Sequence, residues 1–239
     1  VMFIPVAASQ IRRRKSFLRN IFFGGSLFFM FLVLLLTRSR GALLSLLLGF
    51  LAGGGFVLPK KTYFKVLGLI SVAVIIFSSV LPRNFLTALV DRFVNIMDTG
   101  NLERYHMWQV AWQGFLRHPV LGSGVGSTAY IIRNTLNIPS LTSPHNYVFE
   151  FLAEVGIAGT LPILYIFANM LRNAWIISKT SADADIRSEY AFVLVGVIST
   201  LLNGLVEPLH RAPQYAVVFW VLAGIIGAAK RIVVWGNDS

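Results

Sequence analysis

The chain has 239 residues, of which 56% are hydrophobic and 13% charged, and its mean hydropathy is +0.70. So little charge beside so much apolar surface excludes an ordinary soluble domain and points to an integral membrane protein. The net charge of +11 does not mark a nucleic-acid binder, because the basic residues flank apolar runs instead of forming one solvated stripe.

In chain order, six uncharged apolar runs read as membrane-spanning helices: Ile21–Leu36, Ala42–Leu58, Val66–Leu81, Val155–Leu171, Ala191–Val206 and Ala212–Ala229. Each falls slightly short of the ~20 residues that cross ~30 Å of hydrocarbon, and each can extend into the interface at its ends. Gly53-Gly54-Gly55 weakens the second run as an isolated helix, but in a bundle small residues allow close approach of neighbours. No signal peptide can be read from Val1 onward, and the chain is expected to be a fragment of something longer. The absence of cysteine is compatible with a catalytic face outside the cytoplasm without establishing one.

The expected architecture is therefore all-α: a polytopic helix bundle of about six spans with one long extracytoplasmic loop. It divides into residues 1–81 (three spans after a basic N-terminal segment), the loop 82–144, and 145–239 (three further spans). All six lysines fall on one side of these spans. All four histidines and eight of the fifteen arginines fall on the other. The positive-inside rule places the lysine-rich side, with both termini, in the cytoplasm. Arginine and histidine gathered on the opposite side look like a site for an anionic, lipid-linked substrate.

Within the loop, Arg104, Trp108, Trp112 and Phe115 recur at helical spacing, and Pro119 closes the helix. Such an aromatic stripe suits a helix lying on the membrane surface. The following Leu121-Gly122-Ser123-Gly124-Val125-Gly126 reads as a flexible turn; with no strand before it, it is no dinucleotide-binding loop. After the loop, Ser143 and Pro144 read as the cap and first residue of a helix, which would put His145 in its first turn. There the helix dipole disfavours the imidazolium, as a general base requires. A histidine that only caps or packs is the competing reading.

Arg38 and Arg40 stand at the junction of the first two runs, and Arg211 between the last two. Charges at this depth need a partner or a wet cavity, and guanidinium groups bind phosphate oxygens in pairs. Snorkelling to lipid headgroups is the bland alternative. Among nearby carboxylates, Glu154 can orient an arginine or cap a helix, and Glu207 can orient a partner in the site. No metal-binding pattern appears: His106 and His118 lack a supporting cluster, and Asp183/Asp185 lie on the wrong face.

These segments together resemble a known family. Thr37-Arg38-Ser39-Arg40-Gly41-Ala42, Glu103-Arg104 with Trp108 and Ala111, and His118-Pro119-Val120-Leu121-Gly122-Ser123-Gly124 come first. His145-Asn146 with Glu150, and then Glu154-Val155-Gly156-Ile157-Ala158-Gly159, complete the order. The arrangement, from about Leu34 to Trp220, is similar to the O-antigen ligase and polymerase superfamily of bacterial envelopes. Members have about ten to twelve spans, so the resemblance implies the C-terminal portion of one.

The resemblance implies a GT-C-like, metal-independent, inverting glycosyltransferase of the bacterial inner membrane, its active site facing the periplasm and needing no cofactor. The donor it implies is a glycan on undecaprenyl pyrophosphate; the acceptor is lipid A core or a growing glycan. Residue by residue, it marks His145 as the general base and Arg40 and Arg104 as catalytic arginines on the pyrophosphate. Arg211 and the extra Arg38 would join them in binding it. The polyprenyl chain is expected between the spans, beside the Gly- and Phe-rich first and second helices. A ligase to lipid A core is the first reading, an O-antigen or exopolysaccharide polymerase the second. From a different class, a transporter for an anion or glycan precursor would use the same arginines as a vestibule.

Overall fold

A computed structural model describes residues 1–11, 16–37, 39–55, 58–68, 99–137, 143–207 and 211–235, and among these there is no strand. The helices are α1 (Phe3–Ile11), α2 (Phe17–Leu36), α3 (Arg40–Gly49), α4 (Thr99–Arg117), α5 (Ser127–Leu136), α6 (Tyr147–Thr180), α7 (Ala184–Gly204) and α8 (Pro213–Trp235). A π-helical segment, Phe50–Gly54, extends α3, and residues 60–68 are also helical.

Two of these helices are long and apolar enough to cross a membrane: α2, and α6 within Tyr147–Thr180. The stretches Gly41–Gly54 and Tyr215–Ala229 are shorter apolar helices. In α2 only Leu34 is buried, while Phe17 is 80% and Phe22 67% exposed. A helix so apolar, packed on α1 along one side and leaving large side chains bare along the other, has no stable place in water; at about 30 Å for 20 residues it matches the hydrocarbon core. Of the six runs expected, Val66–Leu81 lies outside the described residues beyond position 68. Ala191–Val206 falls largely within α7 and is the buried centre of the bundle.

That centre is α7, against which α1, α3 and α6 all pack. Its inward residues Val193, Leu194 and Val197 share a core with Phe167, Met170 and Ala174 of α6 and with Met2. Phe192 and Val195 meet Phe50, which stacks on Tyr63 at 5.3 Å. Close approach explains the small residues of the second run: a Cβ on Gly49 would strike the backbone of Ser199, and one on Gly53 would crowd Val195.

Helix α6 is one helix only in outline. At Gly156 the backbone takes φ +62°, ψ −166°, a region open to glycine alone, and the helix breaks. A break leaves carbonyls and amides without partners, which in a membrane helix is costly. Here the loop 118–124 supplies them. Ser123 and Gly124 donate their backbone N–H to the carbonyls of Ala153 and Glu154, both at 2.9 Å. Ile157 and Ala158 donate theirs to the carbonyls of Pro119 (2.9 Å) and Val120 (3.0 Å). Gly122, at φ +72°, presses on the backbone at Glu154 and Val155, and Gly156 on that of Val120; neither site has room for a Cβ. The glycine-rich stretch that reads as a flexible turn is thus a strap tied into the helix by its main chain.

The aromatic stripe of α4 also differs from expectation. Trp108 stacks on Phe149 of α6 at 5.8 Å and donates its indole N–H to the Pro144 carbonyl at 2.6 Å. Trp112 meets the same ring edge-on, and Phe115 is buried beside it. Trp108 and Trp112 thus both reach Phe149 of α6, while Trp112 stays 43% exposed.

Candidate functional site

One end of the bundle gathers the starts of α3, α6 and α8, the end of α7, and α4. Gly204 and Tyr147 are in contact, and Gly41, next to Arg40, abuts Val206, next to Glu207. Ser39 caps α3 by accepting the N–H of Ala42 at 3.2 Å, which fixes where the helix begins. The side chain of Arg40, all of Arg38, and residues 208–210 with His210 lie outside what the structure describes.

His145 is not in the first turn of α6. Asn146 is the N-cap, its side chain accepting the N–H groups of Val148 (2.9 Å) and Phe149 (3.3 Å). His145 sits just before it at φ +53°, a conformation uncommon outside glycine. The argument from the helix dipole consequently does not apply to its ring. What holds it is Ser143, whose hydroxyl accepts the His145 N–H at 3.1 Å and donates to Glu150 at 3.2 Å.

Two charge clusters meet here. In the first, the Arg211 guanidinium binds Glu150 through Nε and Glu154 through a terminal nitrogen at 3.3 Å. Glu150 is 1% exposed and Glu154 is also buried. Glu154 further accepts the Thr128 N–H at the start of α5, at 3.4 Å. This cluster ties α5, α6 and α8 together, with Ser143 as its link to His145.

In the second, Glu207 divides its two oxygens. Oε1 is 3.4 Å from an Arg104 nitrogen, and Oε2 is 3.7 Å from His145 Nδ1. The latter is too long for a formed hydrogen bond but within reach of charge attraction once the ring is protonated. All three side chains are about a third exposed. Contact with His145, then the Arg104 charge, hold the Glu207 carboxyl below its ordinary range, against the opposing effect of burial.

Beside this cluster, a small apolar cleft of about 60 Å³ lies between α6, α7 and α8. Tyr147, Phe151, Phe167, Gly204, Tyr215 and Phe219 line it. It begins two residues from His145, so charged groups and an aromatic groove adjoin. Among the described residues no three of His, Cys, Asp and Glu converge as metal ligands would.

Of the residues singled out from sequence, the structure brings His145, Arg104, Glu207, Arg211 and Glu154 into one region. It adds Ser143 and Glu150, which the sequence offered only as a helix-start signal and as part of the family motif. It also adds Gly122 and Gly156, whose need for bare backbone was visible only as glycine in otherwise regular runs. No match was found among curated proteins. A family model described as O-antigen ligase matches residues 25–164. The matched region includes Arg40, Arg104, the strap and His145, and stops before Glu207 and Arg211. Members are glycosyltransferase-like membrane enzymes. With more than half its length matched, the chain belongs to the O-antigen ligase family.

Proposed function

We propose that the protein transfers a glycan from undecaprenyl pyrophosphate to an acceptor hydroxyl at the periplasmic face of the inner membrane, with lipid A core as acceptor. The observation that carries this reading is the half-open trio of His145, Glu207 and Arg104, a base, its orienting carboxylate and a cation, at the mouth of an aromatic cleft. Positive-inside topology, with six spans and both termini cytoplasmic, places that end of the bundle outside the cytoplasm.

With its Nδ1–H turned to Glu207, the neutral imidazole presents Nε2 to the acceptor. Nε2 takes the hydroxyl proton as the oxygen bonds to the anomeric carbon. The bond from that carbon to the phosphate oxygen breaks, and undecaprenyl pyrophosphate leaves with the electron pair. The anomeric centre inverts in this single displacement. The imidazolium so formed lies 3.7 Å from Glu207, which stabilises it.

Arg104, and Arg40 as the family resemblance implies, bind the pyrophosphate and spread the charge that develops on it. The N-termini of α3, α6 and α8 point their amide ends to the same region and favour an anion there. Arg211, committed to Glu150 and Glu154, is a support of the pocket in this reading rather than a phosphate ligand. The first isoprene units of the carrier lie in the cleft between α6, α7 and α8 rather than against the first two helices.

The test is transfer in vitro from a labelled undecaprenyl-pyrophosphate oligosaccharide by the protein in detergent, with His145→Ala as control. Label on lipid A core that requires His145 supports the ligase. A ladder of longer glycans still on the carrier would replace it with a polymerase. No covalent product with any acceptor, from folded protein, would replace it with a transporter.

A further inference from the structure

The strap that repairs α6 has a second property. Its main chain is committed to the helix, so its side chains are held facing outward. Val125 is 86% exposed, Leu121 76% and Val120 63%. These are large apolar groups on a loop that four backbone hydrogen bonds keep from collapsing over them. Solvated loops seldom fix such groups in place.

Their position in the fold says what covers them. Beyond Gly156, the segment from Ile157 to Thr180 is about 36 Å long, enough to cross the hydrocarbon without the first part of α6. The break therefore falls where the span meets the interface. Ile157, Leu161 and Leu164, spaced four and three apart, form one exposed apolar stripe down that span. Ile157 is hydrogen-bonded to Pro119 and Ala158 to Val120, so the strap sits at the head of the stripe and continues its surface. Arg117, exposed at the end of α4 just before the strap, suits the headgroup phosphates above it.

We propose that the strap tip, Val120, Leu121 and Val125, is a rigid wedge buried in the bilayer at the boundary of headgroups and acyl chains. It sets the depth of the α6 break against the lipid. This follows from the spanning helix and the strap alone and does not depend on the reaction assigned above.

The chain has no cysteine, so single labels can be introduced. Leu121→Cys, Leu161→Cys and Arg133→Cys would each carry a polarity-sensitive fluorophore, with the protein in nanodiscs. Bromine or spin labels on the lipids, shallow or deep, and aqueous iodide serve as quenchers. The expected result is blue-shifted Leu121 emission, lost to the shallow lipid quencher and spared by iodide. Leu161 should respond to the deeper quencher, and Arg133 only to iodide. Leu121 emission quenched by iodide as at Arg133 would overturn the proposal. So would blue-shifted emission that no lipid quencher touches, which would mean that protein, another segment or a second copy, covers the strap. Melting curves matching the parent's confirm that each variant reports on the folded state.

Discussion

The two charge clusters use the same residue types and stand side by side, yet they are built differently. Around Arg211, both carboxylates are buried and each oxygen named has a protein donor. Around Glu207, the groups are a third exposed, the contacts are longer, and His145 Nδ1 lacks a formed hydrogen bond. A buried ion pair is costly to break because the remaining charge cannot be hydrated. An open one can exchange partners with a substrate. Under the proposed function, the closed cluster serves as scaffold and the open cluster as machinery.

The scaffold should fail first and hardest at the strap. Gly156→Ala adds a Cβ where the Val120 backbone lies, at a φ no L-residue favours, and forces the stitched hydrogen bonds apart. The expected cost is at least about 4 kcal/mol, seen as loss of monodisperse protein on size exclusion. An unchanged elution profile and melting temperature would contradict the stitched break. Next comes Arg211→Leu, which strands two buried carboxylates and should cost about 3–5 kcal/mol in thermal melts. Adding Glu150→Leu to it should recover part of that loss; no recovery would mean that the pair is not coupled.

The open cluster should show the opposite pattern. Glu207→Gln leaves the fold nearly intact but loosens the imidazole, and transfer should fall about 10²-fold with little change in KM. The carboxyl of Glu207 is depressed in the folded state, so its contribution is present above the ordinary glutamate range. It is lost as pH falls through the lower folded value. The melting difference between parent and Glu207→Gln should accordingly persist at neutral pH and shrink in acid; a difference growing in acid would reverse the sign and refute the pairing. Smallest is Trp108→Phe, which keeps the stack on Phe149 and loses one hydrogen bond to Pro144, about 0.5–1.5 kcal/mol in the same melts.

How much of this was legible in the sequence follows the same division. Composition and uncharged runs carry the membrane class, and the order of arginine, histidine and glycine motifs carries the family. Periodicity reads straight through Val155-Gly156-Ile157, because a helix broken and restarted keeps its apolar residues. The partner that makes the break tolerable is more than thirty residues earlier, in a stretch whose glycines equally suit a loose turn. Ser143-Pro144 imitates a helix start, yet Asn146 is the cap and Ser143 turns instead to Glu150. Glu207 and Arg211 are four residues apart and join different clusters, a distinction made by burial and invisible to spacing.

The most direct test measures transfer and thermal stability together for His145→Ala and Arg211→Leu. The account predicts a crossed result: His145→Ala melts within about 0.5 kcal/mol of the parent while transfer falls about 10²–10⁴-fold. Arg211→Leu should lose stability first, and transfer only in proportion to the folded fraction that remains. If Arg211→Leu kept its stability and abolished transfer as His145→Ala does, the closed cluster would be part of the machinery and the division drawn here would be wrong.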